Sequence, residues 1–319
     1  MDPITHTLVG AALAESGLKR RTPLGTATLL IGANLPDVDI AAYAWGEPIA
    51  LTFRRGWTHG VLAIVVLPFV LTGTMLLWDR YVRRVRAPSA PPVLPAQLLI
   101  LSVVAIATHS TLDYLNVYGM RWLMPFSDRW FYGDVLFIVD PWVWGILAGG
   151  VWLAMRRWKR GALPSFHRST YPARIALIAV TCYILLMAAS AAGARWFVWR
   201  ALPFSRAGVG RIMVAPAPID PFRKYVVLDE GDAYRVGEFN WLDDPRIRYG
   251  DLVVMSRRGE HTNAVRRSEA GRRFLAWARF PFFEVEPGTG GRRVHIIDAR
   301  YTLESSAPFG ALSVEVEPQ

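Results

Sequence analysis

The sequence predicts an α-helical polytopic membrane bundle, four spans plus two N-terminal helices, followed by a C-terminal β-rich soluble domain. Three observations predict it. Gly60 to Trp78 and Ile175 to Ala194 are apolar, carry no charge and reach the ~20 residues that cross a bilayer. Basic residues gather between such runs, where they set orientation. After Pro203 the pattern changes to short alternating stretches punctuated by glycine.

Taken in order, Ile4 to Ala14 reads as a short apolar helix ending at Lys19-Arg20-Arg21. Leu24 to Trp45 is a second apolar segment, interrupted by Asn34-Leu35-Pro36-Asp37-Val38-Asp39. Both are expected to be tilted or only partly inserted. Val93 to Thr108 and Val135 to Met155, the latter containing Asp140, complete the four spans. Arg86 to Pro95 reads as a loop, rich in Pro and Ala. Beyond residue 203, Lys224 to Leu228, Asp251 to Met255 and Arg293 to Ile297 read as strands, punctuated by Gly231, Gly250 and Gly288 to Gly291. Glu269 to Arg279 reads as a short helix. The expected division is therefore 1–203 in the membrane and 204–319 in one soluble domain.

Composition narrows the function. The chain of 319 residues is 52% hydrophobic with 13 Trp and a net charge of +10. Because the arginines lie mostly between apolar runs, the expected partner is the lipid bilayer and not nucleic acid. The single Cys182 sits inside an apolar run, which excludes disulfides and cysteine-based metal sites. No cleavable signal is evident: Met1-Asp2-Pro3 lacks a basic region and His6 interrupts the apolar start.

Three basic clusters, Lys19 to Arg21, Arg80 to Arg86 and Arg156 to Arg174, can all be assigned to the cytoplasm. That assignment places the soluble domain outside and brings the polar residues of the bundle to one face. His6, Asn34 to Asp39, His59, His109 to Asn116, Asp134 and Asp140 all fall at outer ends. Arg54 and Arg55 land there too, against the rule, so something there wants positive charge.

Within this set, His109 and Asp113 are four apart on one helix and Asn116 follows three later, so all three share a face. An aspartate in a span costs ~2.5–3.5 kcal/mol at mid-helix, less toward the ends, unless it has a partner. His6, Asp37, Asp39, His59, His109 and Asp113 form a nitrogen and oxygen ligand set without sulfur. It suits Zn, Mn or Fe and is too rich in imidazole for Ca or Mg. Six candidates exceed what one catalytic zinc needs, so one or two ions are open. Asp39 is a bridging ligand, an orienter of a histidine, or a base. Arg55 would suit an anionic group, with Asn116, Tyr118, Asp128 and Asp134 orienting ligands or substrate. A shared cation requires His59 and His109 within ~12 Å, the reach of two neighbouring zincs.

Each residue also has a plainer role. His6 could be a hydrogen-bonded interfacial residue, Asp37 and Asp39 a cap and turn after Pro36, and His59 a helix cap. Asp140 before Pro141 reads as an N-cap. His167, His261 and His295 read as structural, and Trp122, Trp130, Trp142 and Trp144 as an interfacial belt. Joint placement on one side of the membrane favours the metal reading.

Met1-Asp2-Pro3-Ile4-Thr5-His6-Thr7, Asn34-Leu35-Pro36-Asp37-Val38-Asp39, Arg55-Gly56-Trp57-Thr58-His59-Gly60 and His109-Ser110-Thr111-Leu112-Asp113 resemble the bacterial membrane-bound metal-dependent hydrolases. Phe274 to Pro281 also looks like that family's C-terminal part. The resemblance implies metal-dependent hydrolysis at the inner membrane. The His and Asp pattern is distantly similar to zinc-dependent phospholipase C, which raises lipid phosphates as substrates. One departure is Arg54, where relatives often carry His; if that His is a ligand in them, this chain has lost one.

The expected function is a multi-pass inner-membrane metallohydrolase acting on a phospholipid or other amphiphilic ester at the outer face. The alternative is a non-enzymatic membrane protein with a structural metal or polar cluster, whose periplasmic domain binds a partner. A transporter fits less well, because the polar residues sit at one end of the spans and not near the midplane.

Overall fold

The computed structural model describes residues 1–159, 166–202, 209–254, 259–287 and 292–316. Within these the chain divides into two compact units, Met1–Ile40 with Arg55–Ala188 and Ala41–Arg54 with Ala189–Gln319. The expected boundary at 203/204 therefore falls differently: Ala41–Arg54 and the last part of the final helix belong with the C-terminal residues.

The first unit is helical. α1 (Pro3–Glu15) starts where Asp2 caps it, accepting from the backbone N–H groups of Ile4 at 3.0 Å and Thr5 at 3.1 Å, with Pro3 at the first helical position. α2 (Gly25–Gly32) leads into a 3₁₀ stretch, Leu35–Trp45, so the second apolar segment is no span. α3 (Glu47–Phe53) lies in the second unit. α4 (Val61–Trp78) continues through a π turn, Asp79–Arg83, into α5 (Arg84–Arg86). α6 (Pro95–Tyr114) starts at a proline, as expected after the 86–95 loop. α7 (Pro141–Lys159) and α8 (Phe166–Ala201) complete the helices.

Among the described residues three helices are long and apolar enough to cross a membrane: Val61–Arg86, Pro95–Tyr114 and Thr170–Ala201. The expected fourth, from Val135, is shorter for a physical reason. Val135 and Leu136 donate to Leu115 O at 2.9 and 3.0 Å, and the helix begins only at Pro141. Its remaining turns carry Trp, Gly and Arg that lower its hydropathy. Asp140 caps it as expected, accepting from Trp142 N at 3.0 Å and Val143 N at 3.1 Å. The Tyr183 hydroxyl donates to its other oxygen at 3.0 Å, tying α8 to the same point.

α6 is the central helix. Leu101 and Ala105 pack with Ala14 and Leu29, and Leu98 packs with Leu71, Met75 and Val93. Leu112 joins Val9, Ala12, Val143, Leu147 and Val180. Small residues allow the close approach: a Cβ on Gly32 would lie 2.8 Å from that of Ala105, and one on Gly10 2.9 Å from Leu29 O. Trp144, expected in an interfacial belt, instead donates its indole N–H to Thr5 Oγ1 at 2.9 Å and fixes α1.

The second unit contains a four-stranded antiparallel meander, β1 (Ile212–Pro216), β2 (Arg223–Asp229), β3 (Ala233–Asn240) and β4 (Ile247–Val254). A three-stranded sheet follows, β5 (Pro281–Pro287), β6 (Arg292–Asp298) and β7 (Ala311–Val316), with α9 (Glu260–Arg267) and α10 (Glu269–Trp277) between the sheets. All three expected strands and the expected helix are present. Gly250 lies inside β4 and does not end it. Met255, Gly288 to Gly291 and the His167 side chain lie outside what is described. α3 joins this unit through Arg273, which donates to Thr52 Oγ1 at 3.3 Å.

Replacing Asp140 by Ala removes one cap and one interhelical bond. The expected cost is about 1–2 kcal/mol, read as a lower unfolding midpoint in detergent; an unchanged midpoint contradicts the assigned cap.

Candidate metal centre

Four separate elements converge on one point. α1 supplies His6, the 3₁₀ stretch supplies Asp37 and Asp39, the turn before α4 supplies His59, and α6 supplies His109 and Asp113. The turn is tight: His59 N and Gly60 N donate to Gly56 O at 3.1 and 2.7 Å, and Arg55 takes a positive φ of 51°. His6, His59, His109, Asp113 and Asn116 are buried, whereas the Asp37 side chain keeps 12% exposure.

The hydrogen bonds around His59 and His109 fix their tautomers. His109 Nδ1 lies 2.7 Å from Ala33 O, which can only accept, so Nδ1 carries the proton. Thr58 Oγ1 donates to Asp39 Oδ2 at 3.1 Å and therefore accepts from His59 Nδ1 at 2.9 Å. Both Nε2 atoms are left with bare lone pairs, and they face each other at 3.0 Å. Burial pushes the His59 pKa below its ordinary value, with Asp113 and Asp39 pulling the other way. Asp113 Oδ2, without a hydrogen bond, lies 3.0 Å from His59 Nε2 and 3.5 Å from His109 Nε2. Asp37 Oδ1 lies 3.8 and 3.9 Å from the same two nitrogens. Two ligands ~2.1 Å from one ion are at most ~4.2 Å apart, and every one of these separations fits. Asp37, His59, His109 and Asp113 thus form a cluster that could hold a metal ion. The separation of His59 and His109 is far inside the ~12 Å limit.

The other candidates surround this set. His6 Nε2 turns to the opposite carboxylate oxygens, 3.2 Å from Asp113 Oδ1 and 4.0 Å from Asp37 Oδ2, and its ring stacks on His109 with centroids 3.9 Å apart. Its Nδ1 has no hydrogen-bond partner, so its tautomer is not fixed as the other two are. The Met1 nitrogen also contacts Asp113 Oδ1. Asp39 lies outside this group of four. Its Oδ2 accepts from Arg55 N at 2.8 Å and lies 3.4 Å from His59 Nδ1, so it orients His59 through Thr58.

Arg55 is placed otherwise than an anion contact requires. Its guanidinium is buried: Nη1 donates to Asn116 Oδ1 at 2.9 Å, Nη2 to Met1 O at 3.3 Å, and Nη2 lies 3.2 Å from Asp113 Oδ1. It also stands over the Tyr118 ring at 4.7 Å. Asn116 spends its oxygen on Arg55 and on Tyr118 N at 2.9 Å, which makes it a support for Arg55. Asp134 is buried with a positive φ of 54°, and Asp128 is exposed beside Arg121 at 3.6 Å. Thr58 and the Ala33 carbonyl went unread in the sequence. Thr58 had a signal, a hydroxyl directly before a candidate ligand; the carbonyl had none.

The fold and site define a helical membrane protein with a buried His and Asp cluster and a β-rich C-terminal part. Residues 1–197 match the YdjM inner membrane protein family, and the chain belongs to it. It is also similar to the Bacillus subtilis (strain 168) protein YfhP, described as uncharacterized, with 22% identity over 167 residues. That alignment covers 48% of this chain and 47% of YfhP, so it spans about half the length of the relative. No solved structure matches the chain.

Two measurements check the site. Thr58→Val or Asp39→Ala frees the His59 tautomer, and metal affinity should fall ~10–100-fold; unchanged affinity contradicts the relay. In chelator, burial holds the His6 pKa down at about 4, below its ordinary 6.5. The unfolded chain then takes up the proton first, so stability should be full above pH ~6.5 and decline as pH falls toward ~4. His6→Phe should flatten that decline in a pH series of unfolding midpoints.

Proposed function

We propose that the protein is a metal-dependent hydrolase of the inner membrane that cleaves a phospholipid or related amphiphilic ester. The observation that carries this reading is the pair of bare Nε2 atoms 3.0 Å apart beside two carboxylates. Neither nitrogen has a proton to share, so the arrangement is repulsive unless a cation lies among them. Nitrogen and oxygen donors without sulfur suit Zn, with Mn or Fe as alternatives. A bound divalent ion of this kind lowers the pKa of its water to ~7 and so supplies hydroxide at neutral pH.

The remaining steps belong to the chain. Asp39 and Thr58 hold His59 in its ligating tautomer, and the Ala33 carbonyl does the same for His109. Arg55, itself held by Asn116, meets Asp113 at Oδ1, away from His59 and His109. Asp37, the one member of the four that reaches the surface, supports entry of substrate from its side. Val38 and Ile40 beside it are exposed and apolar, in keeping with an amphiphile. His6 faces the second oxygens of both carboxylates, sharing Asp113 Oδ1 with Arg55 and the Met1 nitrogen. The basic clusters favour a cytoplasmic side that leaves this centre and the β-rich domain in the periplasm.

Purified protein should carry at least one equivalent of Zn, Mn or Fe, and His109→Ala should lose it. Lipid phosphodiester hydrolysis should stop with chelator. Less than one equivalent, or metal content unchanged in His109→Ala, contradicts the reading. Retained metal with no turnover on any lipid favours a structural metal and a partner-binding periplasmic domain.

A further inference from the structure

The turn that carries His59 is gripped from outside the cluster. The grip comes from residues 120–131, after α6, which double back where Met120 and Phe131 exchange backbone hydrogen bonds at 3.0 and 2.9 Å. One arm of this loop runs along the turn. Arg121 N donates to Arg55 O at 2.8 Å, and Val61 N donates to Trp122 O at 2.8 Å. His59 lies between these two points of attachment, so its backbone is tied on both sides.

Two glycines make the close approach possible. A Cβ on Gly60 would lie 2.8 Å from that of Met124, and one on Gly56 would lie 2.7 Å from Arg121 Cζ and 2.8 Å from its Nε. The guanidinium is thus laid against the Gly56 backbone, and a side chain at 56 would have to displace it. It stands 5.1 Å from the Trp130 ring centroid, and Arg121 is only 6% exposed. Two carboxylates attract it: Asp128, which is exposed and 3.6 Å away, and Asp39, which is buried. Asp39 in turn accepts from Arg55 N and Thr58 Oγ1, and Thr58 is bonded to His59 Nδ1. Arg121 therefore bears on His59 by two routes, the backbone of the turn and the charge of Asp39. A buried carboxylate is costly without compensation, and this guanidinium supplies some of it.

We propose that Arg121 is a positioning residue for the metal centre, on the reading that a cation occupies that centre. Seated on Gly56 and attracted to Asp39, it keeps the 55–60 turn and the Asp39–Thr58 relay in the arrangement that presents His59 Nε2 to the ion. A guanidinium has no lone pair to offer a metal, so Arg121 acts only through these residues. Gly56 is the partner this role requires, because the guanidinium takes the space of its missing side chain.

The test uses the full-length protein in detergent, stripped with chelator and titrated with Co²⁺, whose visible bands report coordination geometry. Arg121→Met keeps the length of the side chain and removes its charge. It should bind Co²⁺ about 10–100-fold more weakly than wild type, the loss usual for an outer partner of a ligand, with displaced visible bands. Gly56→Ala should show the same loss, and Arg121→Lys, which keeps the charge without the flat fit, should lie between. Arg121→Gln replaces Arg121→Met if that variant does not fold. A merely structural Arg121 would lower the unfolding midpoint of the metal-free protein and leave the affinity and bands of the folded protein as in wild type. That result overturns the proposal. Failure of the wild type itself to bind Co²⁺ overturns the metal reading and this role with it, so the two failures are distinguishable.

Discussion

Two imidazole nitrogens with their lone pairs aimed at each other cannot hold that position unaided, and the helical unit is built around that constraint. His59 and His109 are far apart along the chain and come from different elements, yet each is locked with its proton on the outer nitrogen. A hydroxyl relayed to a carboxylate does this for one, and a helix-end carbonyl for the other. Such locking has a cost in hydrogen-bond choice that a plain polar core would not need. It is what a metal ligand requires, because only the deprotonated nitrogen can bind.

The fold supplies the convergence through close helix packing. α6 carries two members of the cluster one turn apart and touches α1, α2 and α4 through small residues and leucines. α1 is fixed at its start by Asp2 and Trp144, which places His6 on the far side of the same carboxylates. Arg55 closes the back of the site. Its charge meets Asp113 at Oδ1, which His6 also approaches, while Oδ2 faces His59 and His109, so the carboxylate is shared between a permanent cation and the lone-pair cluster. A buried carboxylate with only the imidazoles beside it would be expensive in this setting.

Much of this was legible in the residues, and the gaps have physical causes. The spacing of His109 and Asp113 gave one helical face, because side chains four apart on a helix share one. The capping role of Asp140 was readable from the proline after it. The different roles of Asp37 and Asp39 were not, since a 3₁₀ stretch turns residues two apart in directions that composition does not specify. Arg55 was read as an anion contact from its charge. Its inward turn depends on a left-handed backbone that no local pattern announces. The span starting at Val135 was misjudged because apolar character does not distinguish a helix from two residues paired with the end of α6. Alternation found β2, β4 and β6 but not the other strands, and Gly250 shows that a glycine can lie within one.

The central claim is that a cation lies among His59, His109, Asp37 and Asp113. X-ray absorption at the metal edge of the purified full-length protein tests it most directly. The account predicts a first coordination sphere of imidazole nitrogens and carboxylate oxygens at ~2.0–2.2 Å with no sulfur. A protein free of transition metal after purification without chelator and supply of zinc, or a sphere lacking imidazole, would contradict it.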